Sequence, residues 1–162
     1  MKNQKDDLTI RLAKRKDLAE IARIYQVANS KAYPEDKWNK KEAVNHLADY
    51  FKLQPDLFFV AYKDEKIIAG IWGRIEHYSG PDLTDVDLFV DPESQNRGVG
   101  RGMLKYIIKK AATKYQIGEI NFLANNKKDF PLVWYKKIGM KETPWFNMEG
   151  KVKEVLKNLE KS

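Results

Sequence analysis

Apolar and polar positions alternate along the chain with two periods, and the switches between them predict the elements. "LTIRLA" (8 to 13) alternates with period two and predicts a strand; Asp17 then stands where a helix N-cap is needed, before an apolar face of Leu18, Ile21, Ala22, Tyr25 and Ala28. The turn-rich "YPEDKWNK" (33 to 40) separates this helix from a second, whose face is Ala43, Val44, Leu47, Ala48 and Phe51. "LFFVAYK" (57 to 63) and "KIIAGIWGRIEHY" (66 to 78) are β-rich runs joined by Asp64 and Glu65, which predicts a hairpin. "SGP" (79 to 81) turns the chain into "LTDVDLFV" (83 to 90), a third run, so the three form an antiparallel meander.

The second half repeats the alternation at a longer period. Met103, Leu104, Ile107, Ile108 and Ala111 have helical spacing, with Arg101, Lys105 and Lys109 every four residues on another face. "EINFLA" (119 to 124) predicts a strand, and "DFPLVWYKKI" (129 to 138) a helix with proline near its first turn, closed by Gly139. A strand, crossover helix and strand pair in parallel, so the fold class is α/β (α+β): a mixed sheet with an antiparallel meander followed by a parallel β-α-β-α unit. Val152, Val155, Leu156 and Leu159 predict a C-terminal helix over 150–162, after one more strand ending near Met148.

Composition narrows the classes. At 162 residues, 43% of them hydrophobic and 12% aromatic, the chain is expected to be a single domain over 1–162, with residues 1–7 a flexible N-terminus. No run approaches the roughly 20 apolar residues of a membrane span, and the start lacks the apolar core of a signal peptide, so the expectation is a cytoplasmic protein with no membrane partner. The absence of cysteine excludes disulfides and thiolate chemistry, and two histidines far apart argue against a metal centre, so no metal is expected. A net charge of +7 suits polyanions, from nucleic acid to a phosphate-bearing cofactor, although its lysines are interleaved with acidic residues as on any solvated surface.

One stretch asks for a ligand. "QNRGVGRG" (95 to 102) holds three of the chain's nine glycines at a helix start, where glycine costs conformational entropy. The Walker loop is excluded, because Gly100 is followed by Arg101 and Gly102 instead of Lys and Ser or Thr. The dinucleotide fingerprint fits poorly, because Gly98, Gly100 and Gly102 have the wrong spacing and follow a long loop after Val90. What survives is the physics common to both: small residues let backbone N–H groups approach an anion at a helix N-terminus, and Arg97 and Arg101 add charged donors. Equally, the glycines could permit only a turn and close helix packing.

"DVDLFVDPESQNRGVGRGMLKYI" (85 to 107) resembles the acyl-CoA-binding segment of the GNAT superfamily of N-acetyltransferases, with the pattern Gln or Arg, two residues, Gly, one residue, Gly or Ala at Gln95, Gly98 and Gly100. "WYKKIGM" (134 to 140) resembles that family's second signature, and the order of elements agrees over residues 8 to 144. The resemblance implies acetyl-CoA as cosubstrate, held by the segment Gln95, Asn96, Arg97, Gly98, Val99, Gly100 and Arg101, and by Asn125 or Asn126 on the pantetheine arm. It implies transfer of the acetyl group to a primary amine by direct attack, through a tetrahedral intermediate whose oxyanion is met by backbone N–H groups near Phe89 and Val90. Tyr135 matches the family's tyrosine that protonates or holds the leaving sulfur.

An amine with a pKa of about 10.4 must lose a proton before it attacks a thioester, so a base is required. Asp85 and Asp87 fall on one face of the last meander strand by its period of two; Asp87 matches the family's acidic position, while the neighbouring glutamate position is Val86. His77 is the reserve candidate. The acceptor is expected to be a small molecule, and Glu76, Asp82, Asp85 and Asp87 hint that it is cationic; a protein N-terminus or lysine is the alternative acceptor. Tyr33, Trp38, Trp72, Tyr78, Trp145 and Phe146 are candidates for an aromatic pocket or for core packing. The C-terminal helix could cover the core, close the acceptor site or form a homodimer. A non-catalytic acyl-CoA-binding module would keep the glycines and need no base, and a nucleic-acid-binding domain, lacking any aromatic and basic RNA-binding motif, ranks last.

Overall fold

The structure, a computed structural model, describes residues 8–125, 129–144 and 148–159. They belong to two compact units, Met1–Leu123 and Ala124–Ser162. The first contains β1 (Thr9–Leu12), α1 (Leu18–Ala32), α2 (Lys40–Leu53), β2 (Phe58–Lys63), β3 (Lys66–His77), β4 (Pro81–Val90), α3 (Val99–Tyr115) and β5 (Ile120–Asn121). The second contains α4 (Asp129–Lys137) and α5 (Val152–Leu159). Strands run in the order β1-β2-β3-β4-β5, antiparallel up to β4 and parallel between β4 and β5. This is the mixed sheet expected from the alternation of periods.

Local chemistry accounts for the elements. Asp64 and Glu65 both take positive φ, 49° and 62°, between the paired Lys63 and Lys66, which is the turn that matches the twist of a two-residue hairpin. Asn39 accepts the Glu42 N–H while the Glu42 carboxylate accepts the Asn39 N–H, a reciprocal cap that starts α2. Asp17 does something other than cap α1: its carboxylate takes two bonds from Arg11, at 2.7 and 3.0 Å, and the Lys14 N–H. It thereby fixes the 3₁₀ turn that leads from β1 into α1. In the second unit Gly139, at φ 96°, closes α4 with its own N–H on the Lys136 carbonyl and the Met140 N–H on the Tyr135 carbonyl.

α1 and α2 cover one face of the sheet, where Ile21, Ile24, Tyr25, Leu47 and Tyr50 meet Phe58, Trp72 and Phe89. α3 covers the other face: Tyr106 packs edge-on against Phe59, and Ile107 lies with Leu83 and Val86 around Gly73. Tyr50 belongs to the buried face of α2 although the apolar pattern omits it. β5 is two residues long, shorter than the 119 to 124 expected, and pairs only Leu83 with Ile120 and Thr84 with Asn121. The strand expected to end near Met148 is absent among the described residues, and the terminal helix begins at Val152. Residues 1–7, Asn126, Trp145 and Phe146, named above from the sequence, lie outside the described residues.

Asp56 joins the segment after α2 to the end of α3. Burial alone would raise its pKa, yet hydrogen bonds from Lys114, Tyr115 and Gln54 hold it at about 2, below the ordinary 3.8. A depressed carboxylate stabilises the fold above its unfolded value, and that contribution disappears as pH falls from about 3.8 to about 2. Asp56→Asn is expected to cost up to roughly 2 kcal/mol in urea denaturation at pH 7. The gap between variant and native protein should close as the acid limb is followed down to pH about 2.

Candidate active site

The site is built on β4, and a bulge in that strand decides what faces where. Trp72 pairs with Asp87 and Arg74 with Thr84, so Gly73 alone stands against Asp85 and Val86. The extra residue is Asp85, at φ 50°. The bulge breaks the period of two that put Asp85 and Asp87 together. Asp85, half-exposed, is paired with Arg74 at 2.6 Å, while Asp87 turns toward α2 and takes a 2.5 Å hydrogen bond from the Tyr50 hydroxyl.

Around Asp87 the helices supply groups of quite different kinds. Tyr50 stacks flat on Trp72 with ring centroids 3.9 Å apart, which aims its hydroxyl at the strand. The same hydroxyl lies 2.8 Å from His46 Nε2, and that nitrogen is 3.8 Å from the Asp87 carboxylate. Tyr25, edge-on to Trp38 and Phe89, also feels Asp87. Both phenols are pushed well above the ordinary range, first by burial and then by the Asp87 charge. They stay neutral and act as donors, while Asp87 remains 30% exposed and keeps acceptor positions beyond those two hydroxyls.

The other acidic candidates are occupied differently. Glu76 shares Arg74 with Asp85, and Asp82 accepts the Glu119 N–H beside β5. His77 ends β3 on the surface, away from this cluster in the strand register. Of the aromatic candidates, Trp72 is buried, Trp38 packs over His46 and Tyr25, Tyr33 is half-buried and Tyr78 is fully exposed. His46 and Tyr50 went unread in the sequence, where the apolar pattern of α2 passes over them. The signal that could have found them is their spacing of four, which puts both on one side of the helix.

Past Asp87 no strand among the described residues pairs with the outer edge of β4. β5 stops after pairing Thr84, and the Asp91 N–H on the Ile68 carbonyl fixes the pairing of β4 with β3. By alternation the Phe89 N–H also points to β3, leaving the backbone groups of Leu88 and Val90 on the edge that β5 does not reach. The Val90 carbonyl accepts from Gln95 Nε2 at 3.0 Å, so Gln95 ties the glycine segment to the strand end. The Phe89 N–H is therefore taken up by β3, and the Val90 N–H lies on the outer edge.

The segment then delivers a helix N-terminus. Asn96 and Gly98 take positive φ, 61° and 80°, and α3 begins at Val99. A Cβ at Gly98 would meet nothing within 4 Å, so no packing demands the glycine; its backbone conformation and its open face do. The N–H groups of Val99, Gly100 and Arg101 precede the first turn's own hydrogen bonds, while the Val99 side chain is buried. Arg97, Arg101 and Lys105 line a groove of about 1000 Å³ beside this turn, which also reaches the β2–β3 hairpin. The groove is lined by none of the three aspartates of β4. Asp87 is three residues back from Val90, roughly 10 Å along the strand.

In the second unit, Tyr135 is half-buried on α4 beside Trp134, with ring centroids 5.1 Å apart, and Asn125 is half-buried before that helix. Among the described residues no group of acidic side chains and histidines could hold a metal ion, and no helix is long and apolar enough to cross a membrane.

Known proteins show the same framework. A structure of a possible acetyltransferase from Clostridium difficile aligns at a TM-score of 0.75 with 18% identity, covering 90% of this chain and 97% of that one. An aminoglycoside acetyltransferase from an uncultured soil metagenomic sample, solved with sisomicin, aligns at 0.67 with 19% identity, over 90% and 98% of the two chains. An acetyltransferase of Trypanosoma brucei aligns at 0.61 with 15% identity, over 90% and 100%. At these identities the likeness is one of fold, and no curated protein matches the sequence. The sequence profile of the Acetyltransferase (GNAT) family matches residues 18–139, from the start of α1 to the glycine that closes α4, and the chain belongs to that family.

Proposed function

We propose that the protein is an N-acetyltransferase that moves the acetyl group of acetyl-CoA to a primary amine on a small molecule. The observation that carries this reading is the layout of β4: one strand holds a partly exposed carboxylate, an unpaired edge, and, at its end, an open glycine turn into a helix N-terminus. A ligand with phosphates on that turn and its reacting group near Asp87 must reach along β4 from one to the other. Bound acetyl-CoA has that reach and supplies the activated acetyl thioester.

The chain's own residues do the rest. Backbone N–H groups at Val99, Gly100 and Arg101 hold the phosphates, assisted by Arg97 and Arg101. The Val90 N–H, on the free edge of β4, meets the acetyl oxygen as its charge grows. Asp87 takes a proton from the attacking amine, directly or through water. Tyr135 retains its assignment from the sequence motif as proton donor to the departing sulfur. Asp85 and Glu76 are paired with Arg74 and Asp82 accepts the Glu119 N–H, whereas Asp87 is held by neutral hydroxyls, and it is the acidic residue assigned here to a cationic acceptor.

Calorimetry with acetyl-CoA, CoA and ATP against protein freed of copurified ligand is the first test, followed by an amine and peptide screen that reads thiol release. Selective binding of the two CoA species is expected, and no binding to folded, empty protein would overturn the reading. Gly98→Val should lose acetyl-CoA affinity at least tenfold and cost about 1–2 kcal/mol, since a side chain is strained at this φ. By contrast, Gly100→Ala should keep both, because a Cβ there meets only Leu88 at 3.5 Å and Val90 at 3.8 Å, ordinary contacts. Asp87→Asn should lower kcat by roughly 10² to 10⁴ while acetyl-CoA affinity measured by calorimetry stays unchanged.

A further inference from the structure

We propose that Asp87, the Tyr50 hydroxyl and the His46 imidazole form a proton relay that carries the amine's proton from the acceptor site to solvent, a proposal that rests on Asp87 being the base. The three groups lie in series. His46 Nε2 is 3.8 Å from the Asp87 carboxylate, too far for a direct hydrogen bond, and the Tyr50 oxygen fills the gap at 2.8 and 2.5 Å. A buried tyrosine needs one partner for its hydroxyl. Tyr50, 7% exposed, has two, a carboxylate and an imidazole.

Packing holds the series in place. Trp72 fixes the Tyr50 ring from the sheet side, and Tyr25 and Trp38 hold the imidazole, with ring centroids 5.3 and 5.2 Å away. The imidazole is 36% exposed, so water reaches the end of the chain that Tyr50 does not present. Other ionisable groups act on the trio: Tyr25 from α1, Asp36 through Tyr25, Asp49 from α2 beside His46, and Asp85 from the bulge.

The transfer balances without an ionised phenol. The amine's N–H bond breaks as an O–H bond forms on Asp87. The Tyr50 hydroxyl, which donates to Asp87 at rest, turns to His46; the proton on Asp87 then moves to the Tyr50 oxygen while the hydroxyl's own proton moves to His46 Nε2, which requires the imidazole tautomer protonated at Nδ1. Tyr50 is neutral before and after, as its burial demands, and the imidazolium returns one proton to water.

The test uses Tyr50→Phe, which keeps the ring that stacks on Trp72, and His46→Gln, which keeps a polar group of similar reach. Each is expected to lower kcat about tenfold with the KM for acetyl-CoA within about twofold, and the double variant should fall no lower than the poorer single, since both break one chain. Added imidazole should restore His46→Ala turnover in proportion to its concentration and leave the native enzyme unchanged. Independently of activity, proton NMR should show a downfield Tyr50 hydroxyl resonance that vanishes in both Tyr50→Phe and Asp87→Asn. Additive losses, no response to imidazole, or no such resonance would overturn the relay. Turnover abolished by Asp87→Asn but untouched by His46→Gln and Tyr50→Phe would leave the base and remove the relay, while a protein that acetylates no amine overturns both.

Discussion

One extra residue in β4 determines what the two faces of the sheet can do. Leu83 packs beside Ile107 on the α3 side, so a regular strand, alternating from there, would send residue 87 to the α3 side as well. The bulge at Asp85 resets the alternation. Val86 joins Leu83 and Ile107 around Gly73, and Asp87 turns to Tyr50 and His46 under α2. An aspartate among the buried aliphatic side chains of the α3 face would lose its hydration with no donors in return. Asp85, at φ 50°, points its carboxylate to Arg74, the residue just beyond Gly73 on β3.

That dependence explains which parts could be read from the sequence. Helices, meander and crossover follow from periodicity and turn chemistry, which are local: the Asp64–Glu65 hairpin and the Gly139 stop are where their residue types require. The faces of the helices were largely legible too, down to Ile21, Ala22, Tyr25 and Leu47. A bulge is different, because it is defined by two strands at once and neither sequence alone shows it. Asp85 and Asp87 are two apart in the chain, yet their partners lie on different elements. His46 and Tyr50 were illegible for a related reason: a helix period says that they share a face and cannot say which strand residue that face meets.

Charge follows the same division between local and nonlocal. The net +7 is a property of the composition, but the acidic residues that count are set by pairing in space. Asp17, Asp56, Asp85 and Glu76 each have a cation within salt-bridge reach, from Arg11, Lys114 and Arg74. Asp87 instead has phenols and an imidazole. Of the aspartates on β4, Asp87 is the one held by phenols, and the proposed chemistry is assigned to it on that geometry.

The three glycines before and within α3 have three different causes. Gly102 would bring a Cβ to 3.1 Å from Leu8, so it serves the approach of the chain's start to the helix. Gly100 faces Leu88 and Val90 at a distance that a methyl group tolerates, which agrees with a motif that accepts Gly or Ala there. Only Gly98 lacks any protein neighbour to explain it, while its left-handed backbone is what turns the N–H groups of the next residues outward. A purely architectural reading of the cluster accounts for Gly102 and permits Gly100. At Gly98 the backbone conformation itself calls for glycine, and the same turn leaves the next N–H groups facing outward, where the phosphates of the proposed cosubstrate would meet them.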